Sequence, residues 1–137
     1  MADVKLLQEL PVLIEQILTA ETDNFAKLSA KVGLDLKVDF AAADLSDTNL
    51  SNTNLSNVNF SGTNLCNAHL WRVNLRGADL RGAKLSFANL RGANLSKTNL
   101  RGANLRGTDL RGTDLDCANL SDTNLRGANL RSDRNPG

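Results

Sequence analysis

The chain has 137 residues, a formal net charge of +1 and an aromatic content of only 4%. This length allows one domain and a small appendage, and the aromatic content is too low for an ordinary globular core. Residues 1–39 carry four Lys against seven acids, whereas residues 40–131 carry nine Arg and two Lys against seven Asp. The resulting asymmetry, −3 against +4, is well short of a nucleic-acid-binding signature.

The N-terminal residues indicate helix. Pro11 either kinks the first helix or begins a second one, and a further helix is predicted from Thr22 or Asp23 to Gly33. We interpret residues 1–33 as an α-helical cap over the end of the repeats that follow, with a partner-binding or membrane-surface helix as the alternative. The apolar positions recur at spacings of three and four residues: Leu6, Leu7, Leu10, Leu13, Ile14, Ile17 and Leu18.

Residues 40–130 follow one five-residue repeat. An alternating, strand-like segment at 34–40 leads into it. Every fifth residue from Phe40 to Leu130 is Leu or Phe, nineteen in succession. Two places earlier the residue is small, and directly before it stands Asn or Asp, except at His69 and Lys84. A fixed period that is neither 3.6 nor 2 indicates a repeat architecture.

Each repeat predicts a short extended piece followed by a tight turn. The Leu and the small residue are two places apart, so both point to the same side of an extended backbone. In the segment 80–83, Gly82 would hold the third place of a type II turn, which needs a positive φ. Gly holds this place eight times, and Asn or Asp, the next most tolerant residues, holds it five times.

Four such units with right-angled turns would close a square coil of twenty residues. Successive coils are expected to stack through backbone hydrogen bonds at about 4.8 Å. Leu would stack on Leu inside, with Ala or Thr at the inner corners, which leaves no room for a ligand channel. Cys66 and Cys117 would then lie on different faces, and we interpret them as free thiols of a reducing compartment.

The runs Ala-Asp-Leu-Arg-Gly at 78–82 and Ala-Asn-Leu-Arg-Gly at 103–107 resemble the A(D/N)LXX consensus of the pentapeptide-repeat proteins. The resemblance implies a mainly β fold, a right-handed quadrilateral β-helix, whereas the residues by themselves indicate only a four-sided stack. We predict a β-helix of between four and five coils over residues 34–131, with the helical cap at 1–33 and a polar tail at 132–137.

The C-terminal end of the predicted column is less protected than the start. The tail is polar, and Pro136 discourages further strand pairing. It does not cover the last layer of Leu. We therefore expect the C-terminal coil either to pair with a second copy, giving a two-fold homodimer, or to fray.

The sequence contains no catalytic constellation. It has one His, no CxxC, no phosphate-binding loop and no Ser-His-acid grouping. We therefore predict that the chain is not an enzyme and holds no cofactor and no metal. His69 stands in the outward place before Leu70 and is interpreted as a solvated surface residue. With no signal sequence and no apolar run of eighteen residues, a cytoplasmic protein without membrane contact is expected.

The outer surface is the expected place of function. Aligning the sequence in steps of twenty stacks Arg side chains above Trp71, although stacked like charges repel mildly. One interpretation is an anion-facing or protein-facing stripe anchored by Trp71. The other is a solvated face in which Asp79 or Asp109 screens the charge, or a structural cation–π pair of Trp71 with Arg91. The candidate partner-binding face consists of Trp71, Arg72, Arg91, Arg111 and Arg131.

Phe87 holds an outward turn place where Gly or Asn is usual, and it either packs on its neighbours or marks a partner patch. The first functional hypothesis is a non-enzymatic scaffold that binds another protein through its outer faces. A DNA-mimicking topoisomerase inhibitor, a role known in the family that the chain resembles, needs a strongly acidic rod, and the +4 repeats disfavour it. Weak, salt-sensitive binding of anions or nucleic acid through the Arg columns is the third hypothesis.

Overall fold

The computed structural model describes residues 40–132, which wind into a column of stacked four-sided coils. Fourteen parallel bridges each join a residue to the one twenty places later, from Asp44 with Asn64 to Asp109 with Asn129. Between residues 40 and 132 the secondary structure consists of these single-residue bridges and the turns between them, with no helix and no longer strand. The predicted coil of twenty residues is therefore confirmed.

The helical cap predicted for residues 1–33 lies outside the described residues, as does the segment 34–39. The boundaries that separate cap, repeats and tail accordingly stay a prediction. The described part contains four complete coils and most of a fifth, counted from Phe40 in steps of twenty residues.

The corners of the column are turns with a left-handed third residue. All eighteen third places from 42 to 127 have a φ between 56° and 73°, and eight of them are Gly. At Gly82, where φ is 66°, the turn closes with a hydrogen bond of 3.0 Å from the Ala83 N–H to the Leu80 carbonyl. This geometry is that of a type II turn, as the Gly pattern predicts.

Backbone hydrogen bonds join each repeat to the next coil at three points. Around Leu80, its N–H donates to the Asn99 carbonyl at 2.7 Å, and the Asn99 N–H donates to the Ala78 carbonyl at 3.0 Å. The Gly82 N–H donates to the Arg101 carbonyl at 2.9 Å. The same three bonds recur along the column, so the outer faces present side chains rather than unpaired backbone.

The interior is filled by the central Leu and Phe side chains. From Phe40 to Leu110 every central side chain is buried, and the rings of Phe40 and Phe60 pack with their centroids 5.5 Å apart. The small residues beside them are buried too, except in the last coil. The expected sealed core is confirmed, and in the described column these side chains occupy the space where a channel would run.

Three of the five buried Thr residues of the described column donate their hydroxyl groups to a carbonyl of the preceding coil, and the other two donate to a carbonyl of their own turn. Thr63 donates to the Phe40 carbonyl at 2.7 Å, and Thr98 donates to the Leu75 carbonyl at 2.8 Å. A hydroxyl left without a partner in this apolar setting would be costly. Thr can therefore replace Ala inside the column because a carbonyl of the coil below or of its own turn is within reach.

The last coil, residues 111–130, is covered less well than the others. Leu115, Leu120 and Leu125 are only partly buried, and Leu130 is 53% exposed. By contrast, Leu45 and Leu50 in the first described coil are fully buried. The apolar layer is therefore open toward the C-terminal end of the described chain.

Candidate functional site

The Asn or Asp before each central Leu orients the turn that follows it. In sixteen repeats its side-chain Oδ1 accepts a hydrogen bond of 2.9–3.2 Å from the backbone N–H two residues later. This arrangement is an Asx turn. It explains the preference for Asn or Asp before each central Leu, a role that the repeat pattern alone does not reveal.

Two turns of the described column lack this cap, because His69 and Lys84 stand where the other repeats have Asn or Asp. The turn after His69 carries Trp71 and Arg72, and the turn after Lys84 carries Phe87. Both Arg72, with a φ of 56°, and Phe87, with a φ of 60°, also take the left-handed conformation without being Gly, Asn or Asp. These two turns therefore share three departures from the repeat: a missing cap, a third residue other than Gly, Asn or Asp, and an exposed aromatic side chain.

The first of these turns belongs to a corner that we call the Trp71 corner, and backbone bonds prove its stacking. The Arg72 N–H donates to the Arg91 carbonyl at 2.8 Å. In the next two coils, the Gly92 N–H donates to the Arg111 carbonyl at 2.8 Å and the Gly112 N–H donates to the Arg131 carbonyl at 3.2 Å. The stacking predicted for the candidate face is therefore present. The corner consists of residues 51–52, 71–72, 91–92, 111–112 and 131–132.

A groove of about 470 Å³ lies at this corner and is lined by Trp71, Arg72, Asn89, Arg91 and Gly92. Trp71 is 40% exposed, and the Arg72 guanidinium carbon lies 5.9 Å from the centre of its ring. A cation–π pair of Trp71 with Arg91 is one of the alternatives that the sequence offers, whereas the guanidinium over the ring is that of Arg72. Arg72 takes this course across Gly92, where a Cβ would come within 3.3 Å of the Arg72 Cγ.

Part of the Arg charge is balanced within its own repeat. Arg111 forms two hydrogen bonds with the Asp109 carboxylate, at 2.9 and 2.6 Å, and these bonds lower the pKa of Asp109. Arg81 makes the same pair with Asp79, at 2.9 and 2.7 Å, and lowers the pKa of Asp79. The screening interpretation thus describes Arg111, a member of the candidate face, and Arg81.

The second unusual turn belongs to the neighbouring corner, which we call the Phe87 corner: residues 46–47, 66–67, 86–87, 106–107 and 126–127. Phe87 is 59% exposed, and one edge of its ring lies against Gly107, where a Cβ would come within 2.5 Å of the ring. The Arg106 guanidinium carbon is 6.0 Å from the ring centre. The signal for Phe87 in the sequence is a bulky apolar residue in a turn place, and Phe87 is not one of the five residues of the candidate face.

Between the two corners lies one flat side, which we call the His69 face. Bridges join its outward residues in the order Asn49, His69, Asn89, Asp109 and Asn129. Cys66 and Cys117 are free thiols, and no group of three or more His, Cys, Asp or Glu residues in the described part could hold a metal. No helix among residues 40–132 has the length and apolar character needed to cross a bilayer.

These features define a class: a four-sided repeat solenoid with a sealed interior, whose outer side chains are available for contact. The family model for pentapeptide repeats matches residues 37–72, 59–96 and 93–131, with eight copies. The chain therefore belongs to the pentapeptide-repeat family, whose members form right-handed quadrilateral β-helices.

Several solved structures are similar to this chain. Rfr23 from the cyanobacterium Cyanothece 51142 is 40% identical over 68% of this chain and 62% of that one, with a TM-score of 0.43. The protein alr5209 from Nostoc PCC 7120 is 44% identical over 64% of each chain, with a TM-score of 0.44. Trypsin-treated QnrB1, a plasmid-mediated fluoroquinolone resistance protein, is 19% identical over 69% and 68%, with a TM-score of 0.37.

The matches to Rfr23 and alr5209 span less than two thirds of those chains. A search of curated proteins gave no match. The match to the repeat family model is sufficient to assign the family.

Proposed function

We propose that this protein is a non-enzymatic scaffold that binds another protein through the Trp71 corner. The observation that carries the proposal is the groove in which the half-exposed Trp71 lies beside Arg72 and Arg91. Trp and Arg are the residues that most often dominate the binding energy of protein interfaces. The sealed interior supports the same conclusion, because in the described column it leaves the outer surface as the place of contact.

The charge of the repeats supports a protein partner over a DNA-mimicking role. QnrB1, a fluoroquinolone resistance protein, has the same kind of repeat, so that inhibition of a DNA-binding enzyme is the natural second candidate. A mimic of duplex DNA must reproduce the charge of the phosphates. Residues 40–131 carry nine Arg and two Lys against seven Asp, which is the opposite sign. We further propose a cytoplasmic location, with which two free thiols agree.

The test is capture of partners from a lysate of the source organism with the wild type and with Trp71→Ala/Arg91→Glu. We expect the double variant to lose the captured protein, because it removes the anchor and reverses a neighbouring charge. Loss of about tenfold in affinity per anchor is typical of such residues. Equal recovery by the wild type and the variant would remove the Trp71 corner from consideration.

The chain offers a matched control for the charge reversal. Arg91 and Arg101 both begin the sequence Arg-Gly-Ala-Asn-Leu, and they lie half a coil apart on opposite corners. Arg101→Glu should therefore change the net charge by the same amount and leave partner recovery intact. A supercoiling assay and a gel shift at two salt concentrations measure the DNA-mimic and nucleic-acid alternatives directly.

A further inference from the structure

We infer that the docking surface extends from the Trp71 corner across the His69 face to Phe87, and that it receives an extended, acidic segment of the partner protein. In this arrangement Trp71 and Phe87 are two anchors for two apolar side chains of that segment. The inference rests on the proposed function and adds to it a second anchor and the chemistry of the partner.

The first support is the coincidence of local disadvantages at the two aromatic turns. These turns are the two in the described column without an Asx cap, and their third residues hold a left-handed conformation with a large side chain. Every other repeat from 45 to 130 keeps the capping Asn or Asp. Conformational strain that local structure does not need tends to collect at functional positions. Both exceptions present an exposed aromatic ring on corners that border the same face.

The second support is the distance between the anchors. Phe87 and Arg91 border the same stretch of chain on the His69 face, and Trp71 lies one coil before Arg91. Four residues of chain and one coil spacing put the Cα atoms of Trp71 and Phe87 at most about 14 Å apart. An extended segment covers this distance in about four residues, and side chains four places apart point to the same side of it.

The face itself determines how a partner is recognised. The His69 N–H donates to the Thr48 carbonyl at 2.9 Å, and the Leu70 N–H donates to the Asn89 carbonyl at 2.7 Å. Because these backbone groups are used within the column, a partner strand cannot pair with them. Recognition must therefore come from the side chains that stand on the face and at its two corners.

Charge favours an acidic segment of a partner protein over a basic one. Arg72 and Arg91 line the groove at one corner, and Arg106 lies over the ring of Phe87 at the other. The one carboxylate of the His69 face, that of Asp109, is bound by Arg111. Carboxylates beside two apolar side chains complement this surface.

The experiment is selection from a displayed library of random nine-residue peptides, first on the wild-type protein and then against Trp71→Ser/Phe87→Asn. We expect enrichment of acidic peptides with apolar residues four places apart. The affinity of the leading peptide, measured by fluorescence anisotropy, should fall about tenfold in each single variant. The inference would be overturned if basic peptides were enriched, or if the enriched peptides lacked this spacing. It would also be overturned if the double variant bound every enriched peptide as well as the wild type does.

The replacements are chosen so that a loss of folding is recognisable. Ser and Asn stand at the equivalent turn places of other repeats, for example at Ser51 and Asn67, so neither variant should lower the melting temperature. Lys84 lies on a neighbouring side of the column, outside the docking surface, and Lys84→Asn restores one missing cap. We expect this variant to raise the melting temperature while the peptide still binds. If Trp71→Ser and Phe87→Asn instead lower it, the rings are structural and the inference fails.

The two single variants also separate this inference from the proposed function. Weaker binding by Trp71→Ser with no effect of Phe87→Asn would leave the Trp71 corner as the site and would refute the second anchor. No effect of either variant would refute both.

Discussion

At the scale of single residues, the third turn place decides what each repeat can tolerate. Ten of the eighteen places carry a side chain in the left-handed conformation, and five of the ten are Asn or Asp. For other residues this conformation costs roughly 1–2 kcal/mol. Gly is therefore favoured there by its backbone alone. At Gly107 it has a second role, because its missing side chain leaves room for one edge of the Phe87 ring.

Gly82→Ala and Gly107→Ala separate these two effects, because both glycines have a φ of +66°. A Cβ on Gly82 meets nothing within 4 Å, so this variant should lose only the backbone term, about 1 kcal/mol. Gly107→Ala must also displace the Phe87 ring, which should cost about 1–3 kcal/mol more. Urea unfolding measures both. In a Phe87→Ala background the excess should vanish, and equal losses in the two single variants would contradict this account.

At the scale of the repeat, Asp79 and Asp109 perform two tasks at once. Each caps the backbone N–H of the following Arg at 3.1 Å, and each holds that arginine's guanidinium through two further bonds. The ion pairs are partly solvated, with the Arg81 side chain 58% exposed, so solvent screening leaves each with only a small contribution to stability at neutral pH. The lowered pKa values of Asp79 and Asp109 nevertheless make a prediction about acid.

Because these pKa values are lower in the folded chain than in the unfolded one, the unfolded chain takes up protons first. The contribution to stability is complete above the unfolded value of about 3.9 and is lost as the pH falls through the folded pKa. Asp79→Asn/Asp109→Asn keeps an oxygen for the cap but removes the ion pair. We therefore expect the double variant to have nearly the wild-type free energy of unfolding at pH 7 and to lose less of it on acidification. Urea unfolding at pH 7 and at an acid pH below the unfolded pKa of Asp measures both.

Asp114→Asn is the control for this prediction, because Asp114 caps the N–H of Asp116 rather than that of an arginine. It should leave the acid sensitivity closer to that of the wild type. An Asp79→Asn/Asp109→Asn protein as sensitive to acid as the wild type would show that the two pairs do not govern it.

At the scale of the whole molecule, the column is unequal at its two ends. The Leu layer of the first described coil is sealed, whereas that of residues 111–130 is partly open, with Leu130 53% exposed. A partly open apolar layer is a surface on which a second chain can pack.

We predict that this end forms a two-fold homodimer, because pairing of two such coils would cover both apolar layers. Light scattering should give the mass of a dimer, and Leu125→Asp should convert it to a monomer by placing a charge in the joint. Phe87→Asn, which alters a corner away from that end, should remain dimeric. A strict monomer with an ordered last coil would exclude the arrangement.

The fold could be predicted from the sequence because the residues of each repeat determine its local backbone geometry. Leu80 and Ala78 point inward through simple alternation, and Gly82 permits the turn that follows, so the coil of twenty residues results from local geometry alone. The stacking of Arg91 on Trp71 then follows from arithmetic. The Asx caps could have been predicted as well, since a side-chain oxygen two residues before an N–H in a turn is a familiar arrangement.

The details of the candidate site depend on contacts between residues that are distant in sequence. The Arg72 side chain passes beside Gly92, and one edge of the Phe87 ring lies against Gly107. Each of these pairs is twenty residues apart and belongs to different coils. A repeat pattern fixes which residues are neighbours, but the rotamer of a long side chain depends on the space that its neighbour leaves.

Because the bridges join residues twenty apart, the side of the column on which a residue lies is set by its number modulo twenty. Insertion of one pentapeptide between Trp71 and Arg91 would keep every leucine facing inward, yet it would swing all later residues through a quarter turn. Trp71 and Arg91 would then point to different sides, although the hydrophobic packing had hardly changed. A gain or loss of repeats in such a chain should therefore have little effect on folding. It should disrupt the binding surface unless four repeats are gained or lost together.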